Sequence, residues 1–367
     1  MVATKEAAVS PNPLPANGQE TITADPIVED DNATEADLAR TKDTGGSIHT
    51  SSSVSLSESI TEYRRIHGRT YTQKTDYWGP NDERQNQGLD LAHYWETLLL
   101  GDKLFLAPIG DSPKVGEVLD VGTGTGIWAI DFADGFPSAE VTGVDISPIQ
   151  PGWVPPNCKF HIDDIEKPWT WPAEHFDFVH VKHLEGSVAD WPSLYGRAFT
   201  HLKPGGYIEL REVDIEGRSQ TLGELGDGHI YKRWAKVMLE AMGRLGKTGT
   251  QARDHGIARN LASAGFVDIV EKKWSAPIGR WPRDPVLKEI GACHLQFLDE
   301  SLEGFGTFLL KEVMRWGDPE ILAFMGEMRK ALKDPRLQSY LTLHLVYARK
   351  PERSEETQEK AVTAAVA

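Results

Sequence analysis

Three short stretches carry residue types and spacings suited to holding a small, charged ligand. The first is the glycine-rich turn Asp120-Val121-Gly122-Thr123-Gly124-Thr125-Gly126. Glycines there let the backbone approach a ligand closely with its N–H groups turned outward. A P-loop would end in Gly-Lys-Ser/Thr, and this turn does not. A dinucleotide fingerprint needs a third glycine where this chain has Ile127. The carboxylate of Asp120, set just before the glycines, would repel a pyrophosphate. It favours a ligand with an ammonium or sulfonium group and no phosphate. Asp145 follows about twenty residues after the glycines, the spacing at which an acid accepts from ribose hydroxyls. The third stretch, Asp163-Asp164-Ile165-Glu166, offers the Asp164 carboxylate to an adenine amino group and the Ile165 N–H to a ring nitrogen. S-adenosylmethionine has all of these groups, so it is the expected cofactor. Its binding set is Asp120, Gly122, Thr123, Gly124, Gly126, Asp145, Ile146, Asp164 and Ile165.

These residues need strands that end together. From Val115 the sequence alternates short apolar strands with helices, the pattern of a mostly parallel α/β sheet. Strands are expected at Val118–Val121, Glu140–Asp145, Lys159–Ile162, Phe176–Val181, Tyr207–Glu212, Phe266–Val270 and Ser339–Ala348. Helices are expected from Ile127, over Asp190–Leu202, around Gly228–Leu245 and over Arg253–Ala264. The turn Lys203-Pro-Gly-Gly206 closes the Asp190 helix. All three acidic stretches then fall at strand exits, where open α/β sheets bind ligands. Ahead of the sheet, Asp90–Leu100 has apolar residues at helical spacing. Between the last two strands lies a mostly helical insertion, 278–338. In it Asp318-Pro319-Glu320 reads as a capped helix start, with Ile321, Leu322, Met325, Met328 and Leu332 on one apolar face.

The remaining organisation is compositional. Residues 1–57 and 352–367 are rich in small, polar and acidic residues, so both are expected to be disordered tails. They flank an arm or lid at 58–114 and a main domain at 115–351. A net charge of −16 opposes binding to nucleic acid or to an anionic membrane. Cys158 and Cys293 are far apart and form no cluster with metal-ligand spacing, so no metal is expected. No apolar run suits a signal peptide or a membrane span, which points to a cytoplasmic or nuclear compartment.

With these residues in view, the chain resembles the class I, Rossmann-like methyltransferases. Within them it is similar to the LaeA-like fungal group. The resemblance runs from about Tyr63 to Pro351 and rests on Gly68-Arg-Thr-Tyr71, Tyr77-Trp-Gly-Pro-Asn-Asp82, Leu89-Asp-Leu-Ala-His93 and Val144-Asp-Ile-Ser-Pro-Ile-Gln-Pro151, with Gly186–Pro192 and Leu202–Tyr207. It implies a seven-stranded sheet with the last strand antiparallel and helices on both faces. It departs at Arg84–Asp90, where the group has a Glu-Gln-Asp-Arg-Leu-Asp stretch, and at Gln338, where a His is common.

The resemblance implies methyl transfer to O or N of a small molecule or peptide in secondary metabolism. The alternative it implies is a regulator inside a nuclear protein complex. Such a displacement needs alignment and, for some acceptors, a base. His183, after the fourth strand, is the first candidate, with Glu185 beside it and Glu212 on the fifth strand. Trp128 and Trp191 are candidates for the pocket wall, and Tyr71, Tyr77 and Trp78 for a lid.

Overall fold

In a computed structural model, which describes residues 21–26, 63–73, 77–110 and 116–355, the expected alternation builds one seven-stranded sheet. Its strands are β3 (Glu117–Val121), β4 (Glu140–Asp145), β5 (Cys158–Ile162), β6 (Phe176–Lys182), β7 (Leu202–Ser219), β8 (Val267–Pro277) and β9 (Ser339–Arg349). A small hairpin, β1 (Arg64–Ile66) and β2 (Arg69–Tyr71), precedes them. The helices are α1 (Glu83–Leu99), α2 (Ile127–Gly135), α3 (Trp191–His201), α4 (Ile230–Arg244), α5 (Gly256–Ser263), α6 (Pro285–Thr307) and α7 (Asp318–Leu332).

The strand order is β5-β4-β3-β6-β7-β9-β8. The pairs from β5 to β7 are parallel, while β9 runs antiparallel to both its neighbours. The last strand is thus antiparallel, as expected, and is threaded between β7 and β8. The chain steps outward from β3 to β5 and then returns to the other side of β3 as β6. That reversal opens a crevice between the β3 and β6 exits, the place where such sheets take ligands. Central β3 is buried from Val118 to Val121, which is why it reads as a continuous apolar run.

Several elements differ from the sequence expectation. Helix α1 starts at Glu83, with the Asp82 carboxylate accepting from the Gln85 N–H. Lys203–Gly206 is no separate turn, because β7 begins at Leu202 and Gly205, at φ 81°, carries the chain on into the strand. Strands β7 and β8 run on past the expected Glu212 and Val270, pairing with β9 along their added length. The Arg253 helix is broken by positive φ at Asp254 and His255, so α5 starts at Gly256. Gly317, not Asp318, is the residue before α7, and Asp318 pairs with Lys311 at 2.5 Å. The buried face of α7 is Ile321, Phe324, Met325, Met328 and Leu332; Leu322 is 70% exposed.

The insertion is helical as expected: α6 passes through a π-turn at Phe308–Val313 before α7. Trp234 of α4, Phe324 of α7 and Leu309 share an apolar core there with Leu341 of β9. Helix α1 packs along α6, so the arm and the insertion form one helical layer. Within the tail expected to be disordered, Ala24 pairs with Pro282 and Asp25 donates to the Trp281 carbonyl. The rest of 1–57, and 356–367, lie outside the described residues. No described helix is long and apolar enough to cross a membrane.

Candidate functional site

The glycine turn leaves β3 by folding back on β4. The N–H groups of Gly122 and Thr123 both donate to the Val144 carbonyl at 2.9 Å. Gly126 has φ 83°, and a Cβ there would lie 2.3 Å from Cζ of Phe160. Only glycine fits that junction with α2. The Asp120 carboxylate is fixed by two donors: Oδ2 accepts from Thr123 Oγ1 at 2.6 Å, and Oδ1 lies 2.8 Å from His180 Nδ1. His180 is stacked on Trp128 with centroids 3.7 Å apart, and burial pushes its pKa down to about 4. The imidazole is therefore neutral at pH 7 and does not cancel the Asp120 charge.

Asp145 ends β4. Its Oδ2 accepts from the Gly124 N–H at 2.8 Å, its Oδ1 from the Ser147 N–H at 2.9 Å. Burial pushes its carboxyl up to about 6. Asp164 Oδ1 accepts from the Glu166 N–H and shapes the turn after β5.

These exits line a cleft of about 1050 Å³, with Asp120, Gly122, Gly124, Asp145, Asp164 and Ile165 on its wall. A second cavity of about 1320 Å³ lies beside it, walled by α1, α4, α6, α7 and the far half of β7. Tyr77, Leu89, His183 and Ser187 belong to both walls. The two spaces thus meet at the β6 exit.

His183 stands at that meeting point with φ 55°, a strained conformation for a residue with a side chain. Its Nε2 lies 2.5 Å from Glu96 Oε1 of α1. Glu96 is fully buried, with Arg211 at 3.4 Å and Lys182 at 3.7 Å from its other oxygen. Burial alone would raise the Glu96 carboxyl; His183, Lys182 and Arg211 together hold it well below the ordinary range. Arg211, equally buried, also donates to the Leu104 carbonyl at 2.7 Å and sits 3.8 Å from Glu209.

A family profile described as a methyltransferase domain matches residues 91–246. Methyltransferase pytC of Aspergillus terreus is 35% identical over 304 residues, 82% of this chain and 92% of that protein. The secondary metabolism regulator LAE1 of Cochliobolus heterostrophus is 35% identical over 280 residues, 75% of this chain and 90% of that protein. The protein-methionine methyltransferase laeA of Emericella nidulans is 32% identical over 295 residues, 79% of this chain and 77% of that protein.

The chain belongs to the LaeA-like methyltransferases. It is a class I, S-adenosylmethionine-dependent enzyme, and a methyl acceptor is part of its reaction.

In this methyltransferase, eight of the nine residues expected to hold the cofactor line the first cleft; Gly126 instead stands behind it as the start of α2. Glu212 is not at a strand exit. It lies within β7 and its oxygens accept the N–H groups of Leu184 and Glu185 at 2.9 and 3.1 Å, bracing the loop after His183. Glu185 and Glu212 both face the second cavity. Trp128 is on the cleft wall, whereas Trp191 is core. Tyr77 and Trp78 reach the cavities, whereas Tyr71 is fully buried against Phe308. Of the departures from the group, Gln85 lines the second cavity, while Arg84 pairs with Glu303 and Gln338 bonds Gln220 away from it.

Sequence reasoning missed Glu96, Lys182 and His180. Glu96 had a readable signal: one acid amid Trp95, Leu98 and Leu99 on the apolar side of α1.

Proposed function

We propose that S-adenosylmethionine occupies the first cleft and that its methyl group goes to O or N of a small molecule in the second, within fungal secondary metabolism. The shared wall of the two spaces carries this reading, because group transfer needs donor and acceptor in contact with little water between them. The cleft fits this cofactor. It has glycines where a Cβ would narrow the wall, no phosphate-binding Gly-Lys-Ser/Thr, and carboxylates at three successive exits. When bound, the cofactor supplies an activated methyl on a sulfonium leaving group.

Asp120 faces the positive methionine end. Asp145 has oxygen lone pairs left for the ribose hydroxyls, with Ile146 alongside. Asp164 and the Ile165 N–H read the adenine, and the Gly122–Gly124 backbone with Thr123 forms the floor. His183 takes the acceptor proton. Glu96, 2.5 Å from its Nε2, keeps the ring at the junction of the two spaces. Glu212, with both oxygens engaged by backbone N–H groups, holds the loop rather than acting as the base. An acceptor space enclosed by α6 and α7 suits a small molecule better than the surface of a regulatory protein complex.

Calorimetry with S-adenosylmethionine tests the cofactor site: wild type binds, and Asp120→Ala does not. Unchanged affinity in that variant refutes the site. His183→Ala should slow turnover by about 10²-fold or more, the usual worth of a positioned base, and keep cofactor affinity. Incubation with methyl-labelled cofactor and fungal extract should place the label in a small molecule; label confined to protein refutes the acceptor class.

A further inference from the structure

The polarity of the acceptor cavity restricts what can enter it. Most of the wall is apolar, with Trp234, Met238, Met242, Phe297, Leu302 and Leu341 among its residues. None of the described residues lining it is Lys or Arg. Its two histidines are already engaged with other side chains. His294 is stacked on Trp95 with centroids 4.3 Å apart, and burial pushes it down to about 4. His183 lies against the Glu96 carboxylate.

Against this apolar wall stand groups whose hydrogen-bonding capacity is unused. Glu185 Oε1 accepts from the Ala252 N–H at 2.6 Å, but its Oε2 is buried without a partner. Trp95, 1% exposed, leaves its indole N–H without a partner on the same wall. Buried polar groups are rarely left so, and each costs free energy until something pairs with it. The charged groups around Glu185 are Glu212, Asp214 and Arg253; Arg253 is already paired with Asp214 at 2.6 Å.

We propose, resting on the methyl-transfer reading above, that the acceptor is an uncharged, flattened, largely apolar molecule. It presents an O–H or N–H donor to Glu185 and a carbonyl-type oxygen to the Trp95 indole N–H, and carboxylate- or phosphate-bearing molecules are rejected. The aromatic and Met side chains supply flat, adaptable contact area for such a ring system. An anion would meet the Glu185 and Glu212 carboxyl groups and no lysine or arginine among the described lining residues, and a like charge in a dry site is strongly unfavourable.

A matched pair of probes tests this. One is a naphthol bearing an acetyl group on its far ring. The other is the same naphthol with a carboxylate in place of the acetyl. Binding to the full chain is read from quenching of tryptophan fluorescence and by calorimetry at slightly alkaline pH. The acetyl compound should bind at least about tenfold more tightly, since like charges side by side cost more than that factor. In Glu185→Gln, whose amide oxygen can still accept from Ala252, the gap should shrink by about tenfold. Equal or tighter binding of the carboxylate by wild type overturns the proposal, as does binding of neither probe at millimolar concentration. An unchanged gap in Glu185→Gln overturns the role of Glu185. S-adenosylmethionine binding, measured on the same samples, separates the two readings. Its loss refutes the cofactor site, whereas its presence with a carboxylate preference refutes the acceptor class alone.

Discussion

Replacing Glu96 with Gln keeps the side chain's size and removes one buried negative charge. That charge faces His183 Nε2 at 2.5 Å, Arg211 at 3.4 Å and Lys182 at 3.7 Å. Deleting one partner of a buried ion pair costs about 3–5 kcal/mol, because the other charge stays desolvated and unpaired. Two features reduce this. Arg211 keeps Glu209 at 3.8 Å and the Leu104 carbonyl, and the Gln oxygen can still accept a hydrogen bond. The expected loss at pH 7 is therefore about 2–4 kcal/mol, read as a lower urea midpoint at constant slope. The pH dependence has a definite sign. A carboxyl held low in the folded state stabilises above its unfolded pKa of about 4.3, and that stability is lost as pH falls through the folded value. The gap between wild type and variant should thus be full at pH 7 and shrink steadily below about pH 4. A loss under about 0.5 kcal/mol at pH 7, the scatter of an ordinary surface substitution, refutes the network as a stabilising unit. A gap that persists undiminished in acid refutes its electrostatic origin.

Gly126→Ala forces a side chain into a left-handed conformation, about 1–2 kcal/mol, and against Phe160, where overpacking adds about 1–3 kcal/mol. Urea unfolding should show the sum, and a loss below about 1 kcal/mol would mean the turn relaxes freely. Glu185 works in the opposite pH direction to Glu96. Burial pushes its carboxyl up to about 7, so its stabilising contribution is present in acid and fades as pH rises through that value. Unfolding measured from pH 5 to 8 should fall less steeply for Glu185→Gln than for wild type, and parallel curves would contradict the shift.

The central strands were legible because parallel strands buried on both faces are mostly apolar, so β3, β4 and β6 read as bounded apolar runs. Elements at the margin were not. The outer half of β8 reads Glu271-Lys272-Lys273, which looks like a solvated turn. It is an edge strand instead, held by β9 on one side, and Glu271 is in contact with His255. The first turns of α1 contain Gln85, Asn86, Gln87 and Gly88, too polar for a periodicity argument. Yet Gln85 and Gly88 are buried, Gly88 because a Cβ would lie 2.8 Å from Ser301 of α6. Close helix packing sets those positions, and pairing across more than two hundred residues leaves little trace in local sequence.

The same division runs through the site. Asp120, Asp145 and Asp164, which line one cleft, could be grouped from the sequence because each stands where one strand ends, and strand ends can be read locally. Glu96 is 115 residues from Arg211 and sits on another layer, so only the fold brings them together. Helix α1 does more than hold Glu96. Its Asp90 accepts from Thr125 Oγ1 of the glycine turn at 2.6 Å, and its His93 lies 2.9 Å from Asp131 of α2. Its Leu89 lines both cavities. One helix therefore touches the glycine turn, the histidine at the junction and the wall of the second cavity. A shift of α1 along α6 would move all three together, so the helical arm is packed into the walls of both spaces and is no independent appendage of the sheet.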